Sequence, residues 1–72
     1  MDKQYLNRTE ISQRIKVLND WLKENPNDPM FGTVKSESLK YVNLLNKIED
    51  LCLDVIENTV RTEVYQQIGI LI

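Results

Sequence analysis

Hydrophobic side chains in the first third of the chain repeat with the period of an α-helix. The repeat at i, i+4, i+7 and i+11 consists of Ile11, Ile15, Leu18 and Leu22. Residues at this spacing share one face of a helix. The pattern therefore predicts an amphipathic helix that buries this face against another element.

Sequence signals mark both ends of this helix. In the stretch LNRTEI, Asn7 can cap the first turn and Glu10 can complete a capping box. In the stretch ENPNDP, Pro26 cannot continue a helix. We therefore predict a helix from about Arg8 to Glu24.

The segment NPNDPMFGT, residues 25–33, is predicted to be a loop. It contains both prolines and one of the two glycines of the chain, which are the strongest breakers of regular structure. Met30 and Phe31 are apolar residues within this otherwise polar segment. We expect them to cap the open end of the helical core, and the alternative is that they contact a partner.

A second and longer helical repeat begins near Ser36. Its apolar positions stay on one helical face and are Tyr41, Leu44, Leu45, Ile48, Leu51, Cys52, Val55 and Ile56. Cys52 lies inside this stripe, so it is expected to be a small core residue rather than a nucleophile. Two apolar stripes buried on each other make an antiparallel helical hairpin.

The pattern shifts near the C-terminal end of the sequence. Apolar residues there repeat at i, i+4, i+8 and i+11, and they are Val60, Val64, Ile68 and Leu71. A strand is the rival interpretation, because residues 60–72 also alternate and are rich in β-branched side chains. We favour a helix that continues to about Gln67, because a single strand would have no sheet to join within this chain.

Together these patterns predict one all-α domain over residues 1–72, an antiparallel helical hairpin with a long second helix. The first helix would cover only part of the second, and the C-terminal apolar stripe would remain exposed. We expect a two-fold homodimer to bury that stripe. The alternative is a three-helix bundle with a break near Asn58-Thr59.

Composition removes several classes of function. The 72 residues include no histidine and a single cysteine, so histidine-based catalysis, an intrachain disulfide and a structural zinc site are not expected. No apolar run is long enough to cross a membrane, and the first residues lack secretory features. We therefore expect a cytoplasmic protein that uses no metal and no cofactor.

The charge pattern bears on possible partners. The formal net charge is −2, which disfavours nucleic-acid binding because that affinity depends on neutralising phosphates. Asp50, Asp54 and Glu57 fall on the polar side of the second predicted helix. They form an acidic face that could hold a basic surface of another protein.

One short stretch resembles a known family at two positions. In SESLK, Ser36 and Leu39 match the S-Q-E-L-D motif of the small two-helix aspartyl-phosphate phosphatases of sporulation relays. The acidic residue that such an activity needs is replaced by Lys40. The resemblance therefore does not make the chain a member of that family.

These observations favour a non-enzymatic protein that works by binding another protein, as a regulator or an inhibitor. Small phage-encoded or mobile-element inhibitors of host proteins have this size and composition. The expected partners are a second copy of the chain and an unidentified protein, with no membrane. The alternatives are a small phosphatase-like enzyme of a signalling relay that uses the acidic face, and a transcriptional regulator that binds DNA as a dimer.

Overall fold

The computed structural model of this chain describes residues 2–70. The elements in chain order are β1 (Asp2–Leu6), α1 (Arg8–Glu24), α2 (Phe31–Asp50), β2 (Ile56–Val60) and α3 (Thr62–Gln67). The prediction of an all-α protein is wrong, because the described residues combine three helices with a two-stranded antiparallel sheet. The fold class is mixed α and β.

The first helix is confirmed over the predicted range. Its capping box is complete, since the Glu10 amide donates to Asn7 Oδ1 at 2.8 Å and the Asn7 amide donates to Glu10 Oε1 at 3.1 Å. At the other end, the Asn25 amide donates to the Trp21 carbonyl at 2.9 Å. Both ends are therefore set by neighbouring residues.

The second helix ends at Asp50, and the prediction that it continues to Gln67 is wrong. Cys52 adopts a left-handed backbone with φ of 53°. The Cys52 amide donates to the Glu49 carbonyl at 3.4 Å, and the Leu53 amide donates to the Ile48 carbonyl at 3.0 Å. This pair of bonds is a Schellman motif, which usually places glycine at the left-handed position. The helix thus ends without a glycine or a proline.

The chain then forms a strand that joins a sheet. β2 pairs antiparallel with β1, in a register that sets Leu6 opposite Ile56 and Gln4 opposite Asn58. The expectation that a strand would find no partner is wrong, because the N-terminal residues supply one. The alternative three-helix bundle is wrong as well, since Asn58 and Thr59 lie inside β2.

Every element contributes to one core. α1 and α2 form the predicted antiparallel hairpin, and the inner face of the β1–β2 ribbon and α3 close it. The buried apolar side chains are Leu6, Ile11, Leu18, Val34, Tyr41, Ile48, Val60, Val64 and Tyr65. Cys52, which was expected in the core, is exposed instead because the helix that would have carried it inward has already ended.

The predicted interface residues lie mostly within this core. Val60 and Val64 are buried by the chain itself, and Ile68 is half-buried against the same cluster. Leu71 lies outside the described residues. A homodimer is therefore not needed to cover Val60 and Val64, and it stays a prediction. Among residues 2–70, no helix has the length and apolar character needed to cross a bilayer.

Candidate functional site

Polar side chains from four elements meet inside the fold. Glu37 and Asn58 are each only 4% exposed, and Tyr41 and Tyr65 are buried beside them. Two half-buried cations from α1 and α2 complete the group. We call this group the polar cluster, and its members are Arg14, Glu37, Lys40, Tyr41, Asn58 and Tyr65.

The two tyrosines form the centre of the polar cluster. Their hydroxyl oxygens lie 3.0 Å apart, and the Tyr65 hydroxyl donates to Glu37 Oε2 at 3.0 Å. An ionised carboxylate can only accept hydrogen bonds, and each hydroxyl has one proton to donate. The Tyr65 proton is therefore used on Glu37, and Tyr41 must donate its own proton to Tyr65.

The other members of the polar cluster donate hydrogen bonds to this tyrosine pair and to its surroundings. Arg14 Nη1 and Asn58 Nδ2 donate to the Tyr41 hydroxyl at 3.1 and 3.2 Å. Lys40 Nζ lies 3.2 Å from Glu37 Oε2 and donates to the Thr59 carbonyl at 3.1 Å. Because each of these buried groups has a partner, the polar cluster avoids the cost of unpaired polar atoms.

The electrostatics of the polar cluster suit a structural role. Burial, the hydrogen bond with Tyr41 and the negative charge of Glu37 raise the pKa of Tyr65 well above its usual range. Tyr65 therefore stays protonated at ordinary pH and acts as a donor rather than as a base or a nucleophile. The polar cluster fixes β2 and α3 against α2.

A second group of side chains is unusual because it is apolar but exposed to water. In the loop between α2 and β2, Leu51 is 65% exposed, Leu53 is 39% exposed and Val55 is 48% exposed. Tyr5, on the outer face of β1, is 67% exposed. The register sets Tyr5 opposite Glu57 and Leu6 opposite Ile56, and Val55 immediately precedes β2 at that end of the ribbon. We call Tyr5, Leu51, Leu53 and Val55 the apolar loop surface.

The three predicted acidic residues lie around this surface. Because α2 ends at Asp50, they do not share a helix face: Asp54 is in the loop and Glu57 is on β2. Glu57 forms an ion pair with Lys3 at 3.2 Å. Within residues 2–70, neither Asp50 nor Asp54 takes part in an ion pair. Their contact with a partner stays a prediction.

The predicted loop contacts divide between the core and the start of α2. Met30 packs against the buried cluster, and its amide donates to Asp28 Oδ1 at 2.8 Å. Phe31 is the first residue of α2 and is half-buried. This placement fits the expectation that they cover the open end of the hairpin, and a partner contact there stays untested.

Sequence reasoning identified neither the polar cluster nor the apolar loop surface. One signal for the polar cluster was present, because Glu37 lies four positions before Tyr41 and so falls on the buried face of α2. For the loop, the apolar pattern was interpreted as a continued helix. Among the residues that the structure describes, no group of three or more His, Cys, Asp or Glu side chains could hold a metal ion.

Comparisons with protein-family models, with curated proteins and with solved structures find no match to this chain. Of the two groups described above, the polar cluster has its buried side chains hydrogen-bonded to one another. The apolar loop surface is the one that is open to a partner.

Proposed function

We propose that this chain is a non-enzymatic protein-binding module, acting as a regulator or an inhibitor, and that the apolar loop surface is its contact. The observation that carries the proposal is the exposure of Leu51, Leu53 and Val55 within one short loop. Single apolar residues on a surface are common, but a contiguous group usually belongs to an interface.

The shape of the loop supports this use. The Leu53 amide is held by the Ile48 carbonyl at 3.0 Å, and the loop runs directly into β2 at Ile56. Both ends are thus attached to regular elements. A preformed contact surface loses less conformational freedom on binding, and more of its apolar burial appears as affinity.

The charges around the surface indicate the partner. Asp50 and Asp54 flank the apolar side chains without a cation of their own in the described chain. A complementary surface would present aliphatic or aromatic side chains with lysine or arginine at the rim. Two-fold pairing through this surface would bring like charges together, so we favour a different protein over a second copy. We place this interaction in the cytoplasm, consistent with the single cysteine.

The test is affinity capture with quantitative mass spectrometry from the cells that express the protein. The double variant Leu51→Ser with Val55→Ser should lose the captured protein. Leu39→Ser is the matched control, because Leu39 is 55% exposed on α2 outside the apolar loop surface, and it should retain capture. Equal capture by all three proteins, or no specific capture by the unmodified chain, would contradict the proposal.

A further inference from the structure

A cavity of about 250 Å³ opens beside α1. Its lining residues include the apolar Val17, Leu18 and Ile70, together with Tyr65, the polar Gln13 and the cation Arg14. Its volume corresponds to roughly eight water molecules at about 30 Å³ each. That space suits a ligand with a short hydrocarbon part.

Arg14 is held in place but keeps most of its hydrogen-bonding capacity. Its Nη1 donates to the Tyr41 hydroxyl at 3.1 Å, and its guanidinium lies 5.6 Å from the centre of the Tyr41 ring. Tyr41 is in turn fixed by Asn58 and Tyr65. A guanidinium has five N–H donors, and within residues 2–70 Arg14 forms no ion pair.

We propose that this cavity binds an aliphatic monocarboxylate. The planar guanidinium matches the two oxygens of a carboxylate, while the apolar wall suits a hydrocarbon chain of about four to six carbons in the space of roughly eight waters. A neutral apolar ligand would instead remove water from Arg14 without replacing its hydrogen bonds, which is unfavourable.

Glu10 adds a selectivity element. It lines the same cavity, and its Oε1 accepts from the Asn7 amide at 3.1 Å as part of the capping box. Its negative charge is therefore held near the cavity by the start of α1. A ligand with one carboxylate can reach Arg14, whereas a second carboxylate would experience repulsion from Glu10.

The carboxylate could belong to a free aliphatic acid or to the C-terminal end of a peptide. The two sources share the same chemistry, and two pairs of probes separate them. Hexanoate and hexan-1-ol report on the free acid. N-acetyl-leucine and its amide report on a chain end, because they differ only in the terminal carboxylate.

The experiment is a titration of the ¹⁵N-labelled chain followed by amide chemical shifts. Hexanoate should give saturable shifts at residues lining the cavity, hexan-1-ol should bind at least tenfold more weakly, and adipate should also bind more weakly than hexanoate. Arg14→Gln should weaken hexanoate about tenfold or more, as expected for losing a charged hydrogen bond. Lys16→Gln is the matched control, because it removes one positive charge from the exposed side of α1 and should change affinity less than twofold.

Arg14 also donates to Tyr41 in the polar cluster, so a second variant tests the cavity without changing that cluster. Val17 lines the cavity and is 44% exposed, so Val17→Glu should repel hexanoate while the fold remains intact. If N-acetyl-leucine binds tenfold more tightly than hexanoate, a peptide end is the source, and the reverse order indicates a free acid.

Several results would overturn the inference. They are the absence of saturable shifts at tens of millimolar hexanoate, equal binding of hexanoate and hexan-1-ol, and equal effects of Arg14→Gln and Lys16→Gln. This inference does not depend on the proposed protein partner. The Leu51→Ser and Val55→Ser double variant should bind hexanoate as the unmodified chain does, whatever it captures from cells.

Discussion

The polar cluster and the apolar loop surface reverse the usual distribution of side chains. In the polar cluster, Glu37 and Asn58 are buried, and each is hydrogen-bonded to a tyrosine. In the apolar loop surface, Leu51 and Val55 are exposed to water. The buried members of the first group are hydrogen-bonded to one another within the fold. The second has apolar area left over, which only another molecule can cover.

This contrast separates stability from binding. A change within the polar cluster leaves a buried donor or acceptor without a partner and should lower the free energy of unfolding. A change within the apolar loop surface removes area that is already in water, so it should alter partner capture with little effect on stability.

Tyr41→Phe should give the largest loss of stability. It removes the hydroxyl that accepts from Arg14 and Asn58 and that donates to Tyr65. We expect a loss of about 2–4 kcal/mol in urea denaturation, because each buried group left unpaired costs roughly 1–3 kcal/mol. Tyr5→Phe makes the same chemical change on an exposed residue and should stay within about 0.5 kcal/mol. Similar losses in both variants would mean that the hydrogen bonds of the polar cluster contribute nothing to the free energy of unfolding.

Alkaline pH should weaken the fold through Tyr65. Its pKa is raised in the folded state by burial and by its hydrogen-bonded neighbours, so the unfolded chain releases this proton first. The contribution of Tyr65 to the free energy of unfolding is fully present below about pH 10, the ordinary pKa of tyrosine. Above that pH it falls by at most about 1.4 kcal/mol per pH unit. Urea midpoints measured from pH 8 to pH 11 should show this slope, and Tyr65→Phe should reduce it. An unchanged slope in that variant would assign the alkaline loss to other groups.

Gln4 lies next to the polar cluster but differs from it in hydrogen bonding. It pairs across the sheet with Asn58, but its buried Oε1 atom has no hydrogen-bond partner among the residues that the structure describes. Replacing it with an apolar side chain of similar size should remove a desolvation cost, so Gln4→Met is expected to stabilise the chain by about 1 kcal/mol. Gln66→Met, on an exposed position of α3, is the control and should change thermal stability little. Destabilisation by Gln4→Met would indicate that this amide is bonded in solution.

The smallest effects concern the helix ends. Two Schellman motifs end α2 and α3, with Cys52 at the left-handed position of one and Gly69, with φ of 74°, at that of the other. Cys52→Gly should stabilise the chain by up to about 1 kcal/mol, because only glycine adopts this backbone without strain. Gly69→Ala should destabilise by a similar amount. Thermal melting of both variants is the measurement, and a loss of stability in Cys52→Gly would show that its side chain has a packing role.

These motifs also explain how far sequence reasoning could go. The boundaries of α1 were predictable because Asn7, Glu10 and Pro26 act within a few residues of each helix end. The end of α2 was not predictable, because Cys52 occupies a position that glycine usually marks. Once the helix ends there, Leu51 and Val55 leave the buried face on which a continuous helix would have placed them.

The sheet and the polar cluster were missed for a different physical reason. The segment DKQYL has little apolar pattern of its own, and it forms β1 only because β2 lies beside it. Asn58 likewise resembles a solvent-facing residue until β2 places it beneath the sheet against Tyr41. Contacts between residues far apart in the chain are not encoded in local periodicity.

The pairing of β1 with β2 also has a consequence for folding during synthesis. β1 leaves the ribosome first, but Leu6 must wait until Ile56 has been made before it can pair. At roughly 5–20 residues per second, that wait lasts on the order of seconds. The α1–α2 hairpin can assemble during this interval, while the nascent N-terminal segment has no strand to join. The β1–β2 ribbon is therefore expected to form last, when the first described residues pair with the final third of the chain.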